Sequence, residues 1–266
     1  MTPSTGSGQA PAAAKATGDL VRFQDIHFGY NHKVKVLQGI TFGVPRGETL
    51  VILGGSGSGK STILRLILGL LDSDSGRIYF DGEDVTELPE EKLLDLRHRM
   101  GMVFQEGALF DSLTVGENVG YYLLEHGMDN PAGLPEVEKR VLETLRLVGL
   151  EHTIDMMPGE LSGGMRRRVS AARTLIYSPD LILYDEPTTG LDPATCENFC
   201  KVMNDIKREK KVSSIMVTHN LEDAMVVGDH FLLLRGGLPL WQGTKDELKK
   251  KPEDFLMKFF RGEDLA

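Results

Sequence analysis

Nine residues, Gly54-Gly55-Ser56-Gly57-Ser58-Gly59-Lys60-Ser61-Thr62, carry the spacing G-x-x-x-x-G-K-[ST]. Glycines at this density let the backbone curl until several N–H groups point inward as an anion nest, and a helix beginning there adds the positive end of its dipole. Lys60 can reach the β- and γ-phosphates of a nucleoside triphosphate, while the Ser61 hydroxyl can ligate Mg²⁺. The residue types imply nucleotide binding.

Asp185-Glu186 follow the apolar run Leu181-Ile182-Leu183-Tyr184. Acidic residues at the C-terminal edge of a parallel sheet share a crevice with a phosphate loop, so Asp185 is placed to hold Mg²⁺ through water and Glu186 to act as general base on the attacking water. His219 follows Val217-Thr218. An imidazole there either donates to the γ-phosphate and aligns base and water, or is a structural strand-end side chain. Tyr30 has two readings as well, an aromatic stacked on adenine or a turn residue resting on a sheet. In Leu161-Ser162-Gly163-Gly164-Met165, ahead of Arg166-Arg167-Arg168, Ser162 and the two glycines form a second anion site at a helix start.

These groups need an α/β scaffold to bring them together. Thr49 to Leu53 reads as the strand feeding the phosphate loop, and Ile63 to Leu71 as the buried helix leaving it. Val21 to Phe28 and Val36 to Val44 alternate as strands, and a further hairpin is expected with Asp74-Ser75-Gly76 as its turn and Arg77 to Phe80 as strand. From Pro89 the pattern turns helical, with Glu90 to Arg99, Leu113 to Glu125 and Glu136 to Val148 as helices around a short strand, Met100 to Phe104. Residues 89–178 thus read as a mainly helical lobe inserted in the core. The core resumes with strands at Leu181 to Tyr184 and Ser213 to Val217, helices at Pro193 to Glu209 and Leu221 to Val227, and a hairpin about Arg235-Gly236-Gly237. The organisation expected is a disordered tail over 1–18, an ATPase-type domain over 19–245, and a charged helical tail over 246–266.

At 266 residues and 41% hydrophobic the chain can bury a substantial core, and 30 basic against 39 acidic residues give a net charge of −9. That balance counts against nucleic acid as a partner. Cys196 and Cys200, four apart on a predicted helix without a supporting cluster of metal ligands, read as helix packing in a reducing compartment. No stretch is apolar over a bilayer's width, so a cytoplasmic, peripheral location is expected, with membrane work done through a partner.

Taken in order, the phosphate loop, Gln105, Leu161-Ser162-Gly163-Gly164-Met165, Asp185-Glu186, Gly190-Leu191-Asp192 and His219 resemble the ATPase subunit of an ABC transporter over about residues 20 to 245. The resemblance implies a P-loop NTPase core with a mainly parallel sheet, an N-terminal antiparallel β-subdomain and an inserted helical subdomain. It implies ATP and Mg²⁺ as cofactors, Tyr30 as the adenine-stacking aromatic, Gln105 as a Mg²⁺ ligand that also contacts a permease, and His219 as the switch histidine. It further implies a head-to-tail homodimer in which each signature completes the partner's ATP pocket.

The run Phe104-Gln105-Glu106-Gly107-Ala108-Leu109-Phe110-Asp111-Ser112-Leu113, with Met165 and Tyr184-Asp185-Glu186-Pro187, looks like the ATPases of Mce/Mla-type phospholipid transporters. That closer resemblance implies a multi-pass permease, a Mce-domain lipid-binding protein and a small cytoplasmic accessory protein as partners, at the cytoplasmic face of the inner membrane. Ala108, Leu109 and Phe110 are expected either to meet a permease helix or to pack under the helical lobe. Phe255, Leu256, Phe259 and Phe260 form an apolar stripe expected to pack on a neighbouring ATPase. Two rival functions remain open at this point: an osmolyte or amino-acid importer using the same motor, and a soluble ATP-dependent switch without a permease.

Overall fold

The computed structural model describes residues 18–30, 34–128, 130, 133–252 and 254–263. The tail expected over 1–18 lies, for residues 1–17, outside the described residues.

Two sheets organise the chain. Strands β1 (Asp19–Tyr30), β2 (Val34–Pro45), β4 (Ser75–Phe80) and β5 (Glu83–Asp84) form an antiparallel sheet in the order β2-β1-β4-β5. The second sheet has six strands: β3 (Thr49–Leu53), β6 (Met100–Val103), β7 (Leu181–Asp185), β8 (Ser213–Thr218), β9 (His230–Arg235) and β10 (Leu238–Thr244), ordered β10-β9-β3-β8-β7-β6. All its neighbours pair in parallel except β9 and β10.

Burial on both faces explains why the central strands read as continuous apolar runs. Leu50 and Ile52 of β3 face a core shared with the antiparallel sheet and helix α1 (Lys60–Ile67), whereas Val51 and Leu53 face a second core on the opposite side. Leu181 and Leu183 divide from Ile182 and Tyr184 in the same way along β7. The period of two thus sends alternate side chains into different cores.

Helices α3 (Val115–Leu123), α4 (Leu134–Leu147) and α5 (Gly163–Leu175) make the helical lobe, and α6 (Pro193–Lys210) and α7 (Leu221–Val227) complete the second core. Thr114 begins α3 with a reciprocal cap, its hydroxyl accepting from Glu117 N while Glu117 Oε2 accepts from Thr114 N at 2.7 Å. Helix α2 (Glu90–Arg97) precedes β6. The strand expected inside the lobe therefore belongs to the six-stranded sheet, as β6 against β7. Gly101 permits this, since a Cβ there would fall 1.9 Å from Thr174 Cγ2.

Ser75 and Gly76, expected as a turn, are the first residues of β4, which pairs with β1; the tight turn instead joins β4 to β5 at Asp81-Gly82, both at positive φ. Tyr30, for which one reading was a turn residue resting on a sheet, is the last residue of β1. The C-terminal helix divides into α8 (Lys245–Lys249) and α9 (Phe255–Arg261), with Pro252 between them.

Candidate active site

The phosphate loop leaves β3 and ends at Gly59, whose φ of 103° lies in the left-handed region and whose Cβ position would fall 2.6 Å from Leu37 Cδ2. Only glycine satisfies both conditions at this junction. Lys60 then opens α1 but folds back, donating from Nζ to the carbonyls of Gly54 at 2.8 Å and Gly55 at 3.0 Å. Its ammonium also lies 3.3 Å from Glu186 Oε1. The Ser58 hydroxyl is buried without a hydrogen-bond partner among the described residues, a polar atom left for a phosphate oxygen.

On the next strand but one, Asp185 Oδ1 accepts from the Ser61 hydroxyl at 3.1 Å. Burial pushes the Asp185 carboxyl above the usual carboxylate range, the adjacent Glu186 acts in the same direction, and the Ser61 hydrogen bond opposes them. Glu186 sits at φ 46°, a strained value for a non-glycine residue, with its N–H donating to Val217 O at 3.0 Å. That kink turns its carboxylate back across the cleft. Glu186 Oε2 accepts from the Thr189 hydroxyl at 3.1 Å and lies 2.9 Å from His219 Nδ1. One carboxylate thereby joins the phosphate-loop lysine, the turn after β7 and the histidine after β8.

These groups surround a cleft of about 770 Å³. Of the residues singled out in the sequence, Tyr30, Gly55, Ser56, Gly57, Ser58, Gly59, Lys60, Ser61, Thr62, Gln105, Glu186 and His219 line it. Gly54 and Asp185 stand behind it, bonded to Lys60 and Ser61. Ser162, Gly163 and Gly164 are absent from the described lining. Ser162 instead caps α5, accepting from Met165 N at 3.3 Å, with Gly163 and Gly164 in the first turn. Val36, Thr189 and Phe260 line the cleft without having been singled out for it. In the sequence Thr189 is a hydroxyl three residues after the base, and Phe260 belongs to an apolar stripe with nothing to link it to the cleft.

Past Gln105 the chain loops outward. Ala108 is exposed at φ 48°, Phe110 is 44% exposed, and Leu109 packs partly against the helical-lobe core, so only Leu109 follows the packed alternative. Asn118, fully buried, fixes this loop by accepting from Phe110 N at 2.8 Å and donating to the carbonyls of Phe110, Leu113 and Thr114 at 3.0 Å. Within the tail, Phe255 and Phe259 are buried against their own chain, leaving Met257 and Phe260 exposed. Among the described residues no helix is long and apolar enough to cross a membrane.

The protein family described as "ABC transporter" matches residues 37–189. The intermembrane phospholipid transport system ATP-binding protein MlaF of Escherichia coli (strain K12) is 36% identical over 248 residues, 93% of this chain and 91% of that protein. The glycine betaine/carnitine transport ATP-binding protein GbuA of Listeria monocytogenes is 39% identical over 228 residues, 85% of this chain and 56% of that protein. Among solved structures, the dimeric ATP-binding cassette MJ0796 in a post-hydrolysis state with ADP and Pi aligns with a TM-score of 0.75 at 31% identity, over 85% of this chain and 98% of that one.

Proposed function

We propose, from the premise that this chain belongs to the ABC transporter family and hydrolyses ATP, that its turnover drives phospholipids between the membranes of a bacterial envelope. The observation carrying the cargo is the alignment with MlaF, which runs nearly end to end in both proteins. The rival cargo, a small osmolyte such as a betaine, is favoured by GbuA's slightly higher identity, but this chain spans only 56% of that protein.

ATP enters with its base beside Tyr30 and its phosphates in the N–H nest of residues 55–62, where Lys60 exchanges carbonyl partners for phosphate oxygens. Mg²⁺ suits the adjacent oxygens of Ser61 and Asp185, hard donors that would leave its other positions to phosphate, water and Gln105. It supplies charge neutralisation at the phosphates undergoing transfer. Glu186 accepts the proton of the attacking water, and His219, within hydrogen-bond distance of that carboxylate, holds base and water in line.

The signature residues 162–164 lie outside their own cleft, so one chain carries half of two sites. A second copy, placed head to tail, supplies Ser162, Gly163 and Gly164 to the first chain's ATP. The dimer works at the cytoplasmic face of the inner membrane under a multi-pass permease contacted by Gln105, Ala108 and Phe110, together with a Mce-domain lipid-binding protein and a small cytoplasmic accessory protein. Residues 19–245 form the ATPase domain, and exposed Met257 and Phe260 of the 246–266 tail are left to meet the neighbouring ATPase.

The test is to purify the tagged chain from native membranes in mild detergent and identify co-purifying proteins and lipids by mass spectrometry. A multi-pass permease, a Mce-domain protein and bound phospholipid are expected. A permease with a solute-binding protein and no lipid enrichment would overturn the cargo in favour of the importer.

A further inference from the structure

Arg167, on the second turn of α5, is only 7% exposed and forms no ion pair among the described residues. Its guanidinium instead donates from Nε to the carbonyl of Gln105 at 2.7 Å and from Nη2 to the carbonyl of Thr189. Nη1 is buried without a hydrogen-bond partner among the described residues. A cation kept from water and held by two backbone carbonyls alone is costly, and burial accordingly lowers the pKa of the guanidinium. Its two partners belong to the loops after β6 and β7, segments 84 residues apart in the chain that form adjacent walls of the cleft.

The Thr189 end of this bridge leads to the chemistry. Thr189 donates its hydroxyl to Glu186 Oε2 at 3.1 Å, and its N–H donates to the Glu186 carbonyl at 3.2 Å. The Gln105 end leads outward to the exposed loop at Ala108 and Phe110. We propose that Arg167 is a positioning residue that fixes the Gln105 loop to the Thr189 turn, so that the placement of the outward-facing loop sets the placement of Glu186. This rests on the reading of Glu186 as the base. A planar fork suits the task because its donors are held at fixed angles, and a shift of either carbonyl must break a bond or carry the other loop with it. Lysine carries its three donors on a single freely rotating nitrogen, so it lacks the two separate nitrogens at fixed angles that address the two carbonyls here.

The test is a double-mutant cycle on the full-length chain with Arg167→Met and Thr189→Val, read as kcat and KM for Mg²⁺-ATP. Arg167→Met is expected to lower kcat roughly 10-fold with KM within about two-fold, because the phosphate nest is untouched. Thr189→Val removes the hydroxyl but keeps the carbonyl, and is expected to lower kcat by about three-fold. The double variant should turn over no more slowly than Arg167→Met alone. Fold-losses that multiply would overturn the proposal, since a purely structural tie of α5 acts independently of the Thr189 hydroxyl. Should Arg167→Met fail to fold, Arg167→Lys keeps the charge and one bond; it should melt near wild type yet still lose kcat, and wild-type kcat in that variant would also overturn the proposal. Glu186→Gln is assayed alongside. Wild-type turnover there refutes the base assignment, while the cycle alone reports on Arg167.

Discussion

Replacing Glu186 with glutamine removes one charge at nearly constant volume, and the site indicates what each lost contact does. Oε2 serves Thr189 and His219, and the glutamine Oε1 can take over both roles. Oε1 faces Lys60 Nζ at 3.3 Å, where the glutamine NH₂ is a donor facing a donor. Lys60 keeps its bonds to the Gly54 and Gly55 carbonyls and loses its only ion-pair competitor for phosphate among the described residues. Nucleotide affinity is therefore expected to hold or rise. Turnover should fall by about 10² to 10⁴, the range for a lost general base, which corresponds to roughly 3–5 kcal/mol of activation free energy. The assay pairs steady-state phosphate release with equilibrium binding of a fluorescent ATP analogue. A ten-fold rise in KM at unchanged kcat would refute the reasoning, because it would make Glu186 a uniform binding group and leave the base elsewhere.

Lys60→Ala removes the charge-assisted contact to phosphate and should weaken ATP binding roughly 10- to 100-fold, measured with the same fluorescent analogue; unchanged affinity would count against the nest as the binding site. Ser162→Arg should abolish hydrolysis while leaving ATP binding to the same chain intact, and mixing it with Glu186→Gln chains tests whether the signature acts in trans. Gly101→Ala places a methyl 1.9 Å from Thr174 Cγ2, so it should cost about 1–3 kcal/mol by denaturant titration, with Thr174→Ser restoring most of the loss. Asp185→Asn should raise the melting temperature of the nucleotide-free protein near pH 7.5, read by scanning calorimetry. Burial raises the folded-state value of Asp185, so its ionised form costs stability at neutral pH; as pH falls through that raised value the wild type regains it, and the gap should close toward about pH 4.

Much of the scaffold was legible because its central strands are buried on both faces, which leaves an unbroken apolar run of four residues at Leu50–Leu53 and a similar run at Leu181–Tyr184. Elements failed to declare themselves where pairing rather than pattern decides. Met100–Val103 was readable as a strand, yet it lies among helices in sequence, and only its parallel register with Leu181–Tyr184 places it in the six-stranded sheet rather than in the helical lobe. Ser75-Gly76 has the composition of a turn, yet these residues open a strand because β1 supplies a partner at His27↔Ser75. Composition reports local freedom, and a ladder can override it.

The site divides along the same line. Gly59, Lys60 and Ser61 were readable as chemistry because a phosphate loop is local: its donors lie within a few residues, and the helix start follows directly. Glu186 was readable by type, but its left-handed backbone, which turns the carboxylate toward Lys60 and His219, depends on an N–H bond to Val217 on the neighbouring strand. Arg167 shows the limit most clearly. In the sequence it is the middle residue of Arg166-Arg167-Arg168 and reads as part of a basic helix start, while the structure buries it against carbonyls drawn from two distant loops. A side chain whose partners are all main-chain oxygens leaves no complementary residue type to find, so its role can be recognised only after the loops have been brought together.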